Sequence, residues 1–152
     1  MKIQMTLNGK LTTAVIEPDM LLLDLLREKG CYSVKRGCET SNCGLCTVWM
    51  NGKPVLSCSV LAARADGAEI TTLEGLQEEA AEVGAFLAAE GADQCGFCSP
   101  GLIMNVLAME RELSDPSYEE ILEYLSENLC RCTGYMSQMR AIEAYLNRKK
   151  EG

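Results

Sequence analysis

The sequence predicts an α+β protein in which a small β-rich domain is followed by a helical domain. Over residues 1–74, apolar and polar side chains alternate in short runs, as half-buried strands require. From about Leu73 onward, apolar residues recur at helical spacing instead. Each half contains four closely spaced cysteines, so each half is expected to carry one site. We therefore divide the chain into residues 1–74 and residues 75–152.

The first domain is expected to open with a β-hairpin. Apolar residues alternate on both sides of Asn8–Gly9, a dipeptide that tolerates the positive φ of a tight turn. A short helix follows, because Leu22, Leu25 and Leu26 share one helical face, and Gly30 is placed to end it.

A second hairpin is expected around Asn51–Gly52, between strands at residues 47–50 and 55–58. Proline has no backbone N–H, so Pro54 indicates an edge strand or the start of a strand. Residues 69–72 have the composition of a last strand of this domain.

The second domain is expected to contain four helices. They cover residues 78–90, 100–112, 117–127 and 135–149. Gly91 is a plausible stop for the first of them, and Pro100 suits the first turn of the second. Ser117 and Glu120 have the spacing of a capping box, which predicts the start of the third.

Composition and charge exclude several classes of function. The net charge is −8, and two oxidised two-iron clusters on four thiolates each would take it to about −12. Such a surface repels nucleic acid and anionic membranes, so we expect neither as a partner. The chain has no histidine, which excludes mixed Cys/His zinc sites and a histidine general base.

The amino terminus lacks the basic region and apolar run of a secretory signal. The aliphatic stretch at residues 20–23 is far too short to span a bilayer. A cytoplasmic location is therefore expected. Disulfides are disfavoured there, and clustered cysteines are better interpreted as metal ligands.

Four of the nine cysteines form the first cysteine set, with the spacing C-x4-C-x2-C-x11-C. Its members are Cys38, Cys43, Cys46 and Cys58. This spacing is that of plant-type ferredoxins, which bind one [2Fe-2S] cluster through four thiolates. Gly37 and Gly44 allow the backbone to approach such a cluster closely. The alternatives are a zinc ion, or cysteines that are unligated or joined in disulfides.

A second cysteine set has the spacing C-x2-C followed by C-x-C, and consists of Cys95, Cys98, Cys130 and Cys132. Each pair precedes a predicted helix, where free backbone N–H groups and the helix dipole stabilise an anionic centre. The spacing alone leaves zinc as a serious alternative to iron. Cys31 belongs to neither set and is expected to be a small buried hydrophobe.

The residues around the second set resemble a known family. The stretches QCGFCSPG at residues 94–101 and NLCRCTGY at residues 128–135 look like the signatures of the iron–sulfur subunit of molybdenum hydroxylases. That family includes xanthine dehydrogenase, aldehyde oxidoreductase and the carbon monoxide and nicotinate dehydrogenases. The loop at residues 37–48 resembles the same family's first cluster loop. The resemblance covers essentially the whole chain in the family's order.

The resemblance implies an N-terminal β-grasp plant-type ferredoxin domain followed by a C-terminal four-helix bundle, with one [2Fe-2S] cluster in each. Electrons would pass from a molybdenum cofactor in a large partner subunit to the second cysteine set. They would continue to the first set and then to FAD on another subunit. The complex would be a dimer of heterotrimers, and this chain would hold no substrate-transforming site of its own.

The resemblance also implies that Gln94 and Cys132 contact the pterin of the molybdenum cofactor. Two departures from the family's common pattern stand out. Residues 39–42 replace a stretch that is often glycine-rich, and there Asn42 is expected to tolerate a left-handed conformation. Gln138 occupies a position that is more usually aliphatic, which affects the packing behind Tyr135.

Two other functions remain open on the sequence. A free-standing two-cluster ferredoxin or redox sensor would need the same cysteines but not the residues that flank the second set. A structural protein with two zinc ions would be colourless and free of iron. The substrate of the complex is not encoded in this chain, and a purine is expected only because it is common in the family.

Overall fold

Residues 1–150, which the structure describes, form five β-strands and five α-helices in this computed structural model. The strands are β1 (Lys2–Leu7), β2 (Lys10–Val15), β3 (Thr47–Met50), β4 (Lys53–Leu56) and β5 (Glu69–Thr71). They make one sheet in the order β2-β1-β5-β3-β4. β1 and β5 are parallel, and the other neighbours are antiparallel. The last two residues of the predicted second domain, 151–152, lie outside the described residues.

Both predicted hairpins are present. Asn8 and Gly9 join β1 to β2 with φ of 49° and 77°, and Asn51 and Gly52 join β3 to β4 with φ of 51° and 78°. β4 pairs only with β3 and is therefore an edge strand, as Pro54 predicts.

The β2 strand turns its larger apolar side chains outward. Leu11 and Val15 are 72% and 81% exposed, whereas Ala14 is buried opposite Ile3 of β1. The alternation in the sequence thus identified the strand, but the inner face is the one with the smaller residues. β2 is also an edge strand of the described sheet, with β1 as its neighbour.

The helices are α1 (Leu22–Glu28), α2 (Gln77–Ala89), α3 (Ser99–Glu112), α4 (Tyr118–Tyr124) and α5 (Met136–Asn147). Gly30 and Gly91 follow α1 and α2 with positive φ, and the next N–H reaches back to the last turn, as a glycine stop requires. Ser117 and Glu120 form the predicted capping box at α4.

Two helices differ from the expected bounds. α4 ends at Tyr124 and not near residue 127, because the chain then turns to donate a hydrogen bond from Leu129 N–H to Cys43 O in the first domain. α5 begins at Met136, because Gly134 and Tyr135 have φ of 70° and 72° and cannot be helical.

The apolar side chains form two cores. One lies between the sheet and α1, and its fully buried members include Ile3, Leu22, Leu26 and Ile70. The other is built from α2, α3, α4 and α5. In the described part of the chain, no helix has the length and apolar character needed to cross a bilayer.

Trp49 joins the two halves. It lies on β3 but belongs to the helical core, where it is 2% exposed and donates a hydrogen bond from Nε1 to Met104 O at 3.0 Å. The guanidinium of Arg111 stacks 4.2 Å from the centre of its ring. Trp49 therefore connects β3 to α3.

Candidate metal centres

The first cysteine set is assembled by a loop and a turn. Cys38, Cys43 and Cys46 lie in the loop that connects α1 to β3. Cys58 lies in the short 3₁₀ turn Ser57–Ser59 that follows β4. The predicted return of the chain across the second hairpin therefore brings the fourth cysteine to the loop that holds the other three.

Backbone N–H groups prepare the loop for anionic sulfur. Hydrogen bonds from the backbone of Asn42 and Thr40 lower the pKa of Cys38 to about 6. The residue with the left-handed conformation is Ser41, at φ 57°, and not Asn42 as the sequence suggested. The substituted loop thus adopts the required turn without the glycines that are common at these positions.

Glycine is needed at the edges of this loop. A β-carbon on Gly37 would lie 3.2 Å from the sulfur of Cys43 and 2.7 Å from Leu45 Cδ2. A β-carbon on Gly44, which has φ 72°, would lie 2.6 Å from the carbonyl oxygen of Glu127. The first glycine leaves room beside a ligand, and the second lets the loop touch the helical half.

The second cysteine set lies where α3 begins and where the chain approaches α5. Cys98 is the residue that precedes α3, as expected for a thiol at a helix N-terminus. Cys130 and Cys132 are farther from their helix than the sequence suggested, because Thr133, Gly134 and Tyr135 intervene before Met136. Thr133 supplies donors to Cys130 instead, from Oγ1 at 3.2 Å and from its backbone N–H at 3.5 Å.

Within each set, neighbouring thiols influence one another's pKa. In the first set Cys38 interacts with Cys43, and Cys46 interacts with Cys58. In the second set Cys98 interacts with Cys130, and Cys95 interacts with Cys132. The thiols of each set are therefore neighbours, as the four ligands of a [2Fe-2S] cluster must be.

Burial and hydrogen bonds shift the pKa values of several of these thiols. Burial raises the pKa of Cys46 to about 11 and, together with the neighbouring Cys130, that of Cys98 to about 11. Burial acts in the same direction on Cys130, but hydrogen bonds from Thr133 outweigh it and lower that pKa. Metal ligation requires all of these thiols to be deprotonated, so cation binding at either set is expected to release protons.

The thiols of neither set surround a single point. Among residues 1–150, no three His, Cys, Asp or Glu side chains converge on one metal-ion position. A tetrahedral zinc site needs four ligands around one point, whereas a two-iron cluster spreads its ligands around two metals.

The two sets face each other where the sheet half of the structure meets the helical half. A cavity of about 400 Å³ lies between them and is lined by cysteines of both sets. Beside it, the backbone N–H of Leu129 donates a hydrogen bond of 2.9 Å to Cys43 O. Leu129 immediately precedes Cys130, so this bond connects Cys43 of the first set to the residue next to Cys130 of the second set. Nothing in the sequence indicated this contact.

Part of the second set is exposed at the surface, and large apolar side chains lie around it. Cys95, Cys132 and Gln94 are exposed, which brings together at one surface the residues expected to meet a pterin. Four large apolar side chains surround them at 41–59% exposure: Phe97, Leu129, Tyr135 and Met136. Exposed apolar groups clustered in this way are typical of a protein interface.

Gln138 has a contact that the sequence did not reveal. It is buried at the start of α5, and its Nε2 lies 3.6 Å from the sulfur of Cys98. The sequence indicated only that a polar residue stands at a usually aliphatic position. Its place in the first turn of a helix close to four cysteines was the signal that could have identified it.

Residues outside the two cysteine sets have other roles. Cys31 is buried in the core of the first domain, as expected, and burial raises its pKa. On α2, Glu78 and Glu79 are exposed to solvent, whereas Glu82 forms a salt bridge of 2.6 Å with Arg148.

Two family models match the chain. A 2Fe-2S iron-sulfur cluster binding domain matches residues 5–88, and a [2Fe-2S] binding domain matches residues 72–143. The two ranges overlap at residues 72–88.

Named relatives match over nearly the whole chain. The nicotinate dehydrogenase small FeS subunit of Eubacterium barkeri is 46% identical and covers 96% of this chain and 95% of its own length. The xanthine dehydrogenase iron-sulfur-binding subunit of Escherichia coli O157:H7 is 45% identical over 92% of this chain and 91% of its own.

Solved structures agree with these matches. A chain of quinoline 2-oxidoreductase from Pseudomonas putida 86 superposes with a TM-score of 0.89 at 39% identity, covering 100% of this chain and 97% of that one. The aldehyde oxidoreductase from Desulfovibrio gigas superposes with a TM-score of 0.88 at 34% identity, covering 99% of this chain but 17% of that one. The same fold thus occurs both as a separate subunit and as part of a longer chain.

Proposed function

The chain belongs to the family of small iron–sulfur subunits of molybdenum hydroxylases, and we propose that it relays electrons between a molybdenum subunit and an FAD subunit through two [2Fe-2S] clusters. It is an oxidoreductase subunit whose substrate-transforming site lies in a partner subunit. The relay through FAD and the number of clusters are part of the proposal.

The two cysteine sets are the proposed ligands. Cys38, Cys43, Cys46 and Cys58 would hold the first cluster, and Cys95, Cys98, Cys130 and Cys132 the second. A [2Fe-2S] cluster supplies one-electron redox chemistry when bound. The protein contributes paired thiols, donors to their sulfurs and glycines that admit the cluster, as Gly37 does beside Cys43.

The hydrogen bond between the two sets carries the proposal. Leu129 N–H and Cys43 O, 2.9 Å apart, join the two ligand loops at the point where the domains touch. A chain with two unrelated metal sites would have no need to place them on either side of one shared cavity. Their juxtaposition supports transfer from one set to the other.

The surfaces of the two sets support the direction of transfer. We propose that the second set faces the molybdenum subunit, where Gln94 and Cys132 would contact the pterin, because its exposed margin is apolar. The first set would face the FAD subunit through Cys58. Small polar side chains surround Cys58, with Ser41 Oγ at 3.6 Å and Ser59 Oγ at 3.7 Å from its sulfur.

Several finer features belong to the same proposal. The strand order supports a β-grasp ferredoxin domain over residues 1–74, and α2–α5 support a four-helix bundle over residues 75–152. We propose a dimer of heterotrimers located in the cytoplasm, where thiols stay reduced. A purine is the proposed substrate of the partner, which the xanthine dehydrogenase relative supports.

Low-temperature EPR of the anaerobically purified, dithionite-reduced chain tests the proposal. Two distinct spin-half signals, of about one spin per chain each, are expected from two [2Fe-2S] clusters. One signal would leave the other set to zinc or to a structural role, and no signal in a fully metallated protein would replace the relay by a zinc protein.

Affinity purification from the native host tests the partners. We expect a large molybdopterin-containing chain and a flavoprotein to accompany this subunit. Recovery of a stable solitary protein that carries both clusters would favour a free-standing ferredoxin.

A further inference from the structure

Gln138 is a buried amide beside the second cysteine set. It is 4% exposed, lies in the first turn of α5, and places Nε2 3.6 Å from the sulfur of Cys98 at the start of α3. A thiolate accepts hydrogen bonds, so the amide nitrogen is the group that should face it. Burying an amide is costly unless it is hydrogen-bonded, and the sulfur supplies that partner.

Gln138 does not cap its own helix, α5. A glutamine at the third position of a helix can cap it by accepting a hydrogen bond from the N–H of the residue that precedes the helix. That N–H, of Tyr135, donates instead to Thr133 Oγ1 at 3.2 Å, and α5 has no side-chain cap. Gln138 is therefore directed at Cys98 and away from its own helix terminus.

We propose that Gln138 raises the reduction potential of the second cluster by donating an N–H···S hydrogen bond to the ligand Cys98. This inference rests on the proposed function, since it requires a [2Fe-2S] cluster at the second set. Reduction adds one negative charge, which the sulfurs share. A donor aimed at a sulfur is stabilised more by the more negative state, so the reduced form gains more than the oxidised form.

The surroundings strengthen the effect. Met139 and Ile142, which are 5% and 1% exposed, lie next to Gln138 along a cavity of about 190 Å³ that is lined mainly by aliphatic side chains. A hydrogen bond in such a low-dielectric environment is electrostatically stronger than one in water. The apolar lining thus strengthens the hydrogen bond from the Gln138 amide to the sulfur of Cys98.

The consequence for the relay is directional. A higher potential makes the second cluster a better acceptor of electrons from the molybdenum subunit and a weaker donor to the first cluster. An aliphatic residue at this position would provide no such donor. Gln138 is thus a residue through which this chain sets the balance between the two steps.

The test is the substitution Gln138→Met, which preserves approximate volume and removes the donor. In the purified chain with both clusters assembled, EPR-monitored potentiometry should show the second cluster's reduction equilibrium falling about tenfold, which is about 59 mV for one electron. The first cluster serves as an internal control and should keep its potential. Met139→Leu changes packing in the same cavity without removing a donor, and should shift neither potential.

The outcomes separate this inference from the proposed function. An unaltered chain that lacks two [2Fe-2S] signals contradicts the proposed function itself. Two signals in the unaltered chain, together with an unchanged potential in Gln138→Met, overturn the role of Gln138 alone. The same holds if Met139→Leu produces an equal shift.

A second measurement covers the case in which Gln138→Met fails to assemble the second cluster. Glutamine labelled with 15N in the side-chain amide is incorporated into the otherwise unaltered chain, and pulsed EPR searches for a nitrogen coupling to the second cluster. The coupling should persist in Gln94→Met, which removes the other nearby glutamine. Its absence in the labelled chain would overturn the proposal.

Discussion

Gly101 in α3 and Gly44 in the first cluster loop are in backbone contact: a β-carbon built on Gly101 would lie 2.4 Å from the carbonyl oxygen of Gly44. Real β-carbons do not approach a backbone oxygen so closely. This contact brings the helix that follows Cys98 against the loop that contains Cys43. The distance between the two cysteine sets therefore depends on a pair of residues without side chains.

The first prediction concerns this contact. Gly101→Ala is expected to lower the free energy of unfolding by about 3 kcal/mol, because the clash is with backbone that cannot rotate away. Gly84→Ala in α2 is the matched control. Nothing lies within 4 Å of its new methyl group, so it should stabilise the chain by up to about 1 kcal/mol. Urea unfolding followed by circular dichroism measures both, and equal effects would contradict the contact.

The second prediction concerns which cysteines are cluster ligands. Cys132→Ala should remove the second cluster, with its EPR signal and about two iron atoms per chain, because a [2Fe-2S] cluster needs four ligands. Cys31→Ala should retain both signals, since Cys31 is buried in the core of the first domain. Its only expected cost is about 1 kcal/mol of stability from the small cavity. Loss of iron in Cys31→Ala would show that the assignment of the ligands is wrong.

The third prediction concerns Glu74, which follows β5. Burial raises the pKa of this carboxyl, but hydrogen bonds from Ser33 and Thr72 outweigh burial, and the net pKa is lowered. Its contribution to stability is therefore present above the ordinary pKa of about 4.3 and is lost as the pH falls through the lower, folded value.

Glu74→Gln should accordingly be less stable than the unaltered chain by about 1 kcal/mol at pH 7, and the gap should close below about pH 4. Glu79→Gln on the exposed face of α2 makes the same change in charge without such partners. Its stability should follow that of the unaltered chain across the pH range. A gap for Glu74→Gln that widens in acid would contradict the assignment.

The fourth prediction concerns docking. Phe97→Asp places a charge in the apolar margin of the second cysteine set, where Phe97 is 47% exposed. It should abolish co-purification with the molybdenum subunit while both EPR signals of the chain remain, because an unpaired charge at an apolar interface costs several kcal/mol. Leu11→Asp makes a comparable change on the outer face of β2, and should leave the complex intact. Loss of the complex in Leu11→Asp alone would place the interface on the sheet.

Much of the fold could be predicted from local patterns. Asn-Gly pairs, alternation and glycine stops identified both hairpins and the ends of α1 and α2, because these signals depend on the backbone of a few adjacent residues. The end of α4 could not be found in this way, since it is set by the bond from Leu129 to Cys43 in a distant part of the chain. The same is true of Trp49, whose strand belongs to one domain and whose ring belongs to the core of the other.

The candidate site shows the same division. Spacing grouped eight cysteines into two sets, and the fold brings cysteines of both sets to one cavity; the assignment of these cysteines as ligands stays a prediction. The sequence gave no information on Gln138, whose partner is forty residues earlier in the chain. It also placed the left-handed residue at Asn42, whereas the turn is made by Ser41.

The two cysteine sets differ in burial, which predicts the order in which the two proposed clusters are assembled. Cys43 and Cys46 are 5% and 3% exposed, so iron and sulfide must reach the first set before its loop closes against the sheet. Cys95 and Cys132 remain open at the surface of the folded chain and can be supplied later. A scaffold that delivers clusters therefore has to act on the second set before the catalytic partner covers it. On the proposed ligand assignment, we expect the first set to receive its cluster before the second set, and the second set before the partner binds.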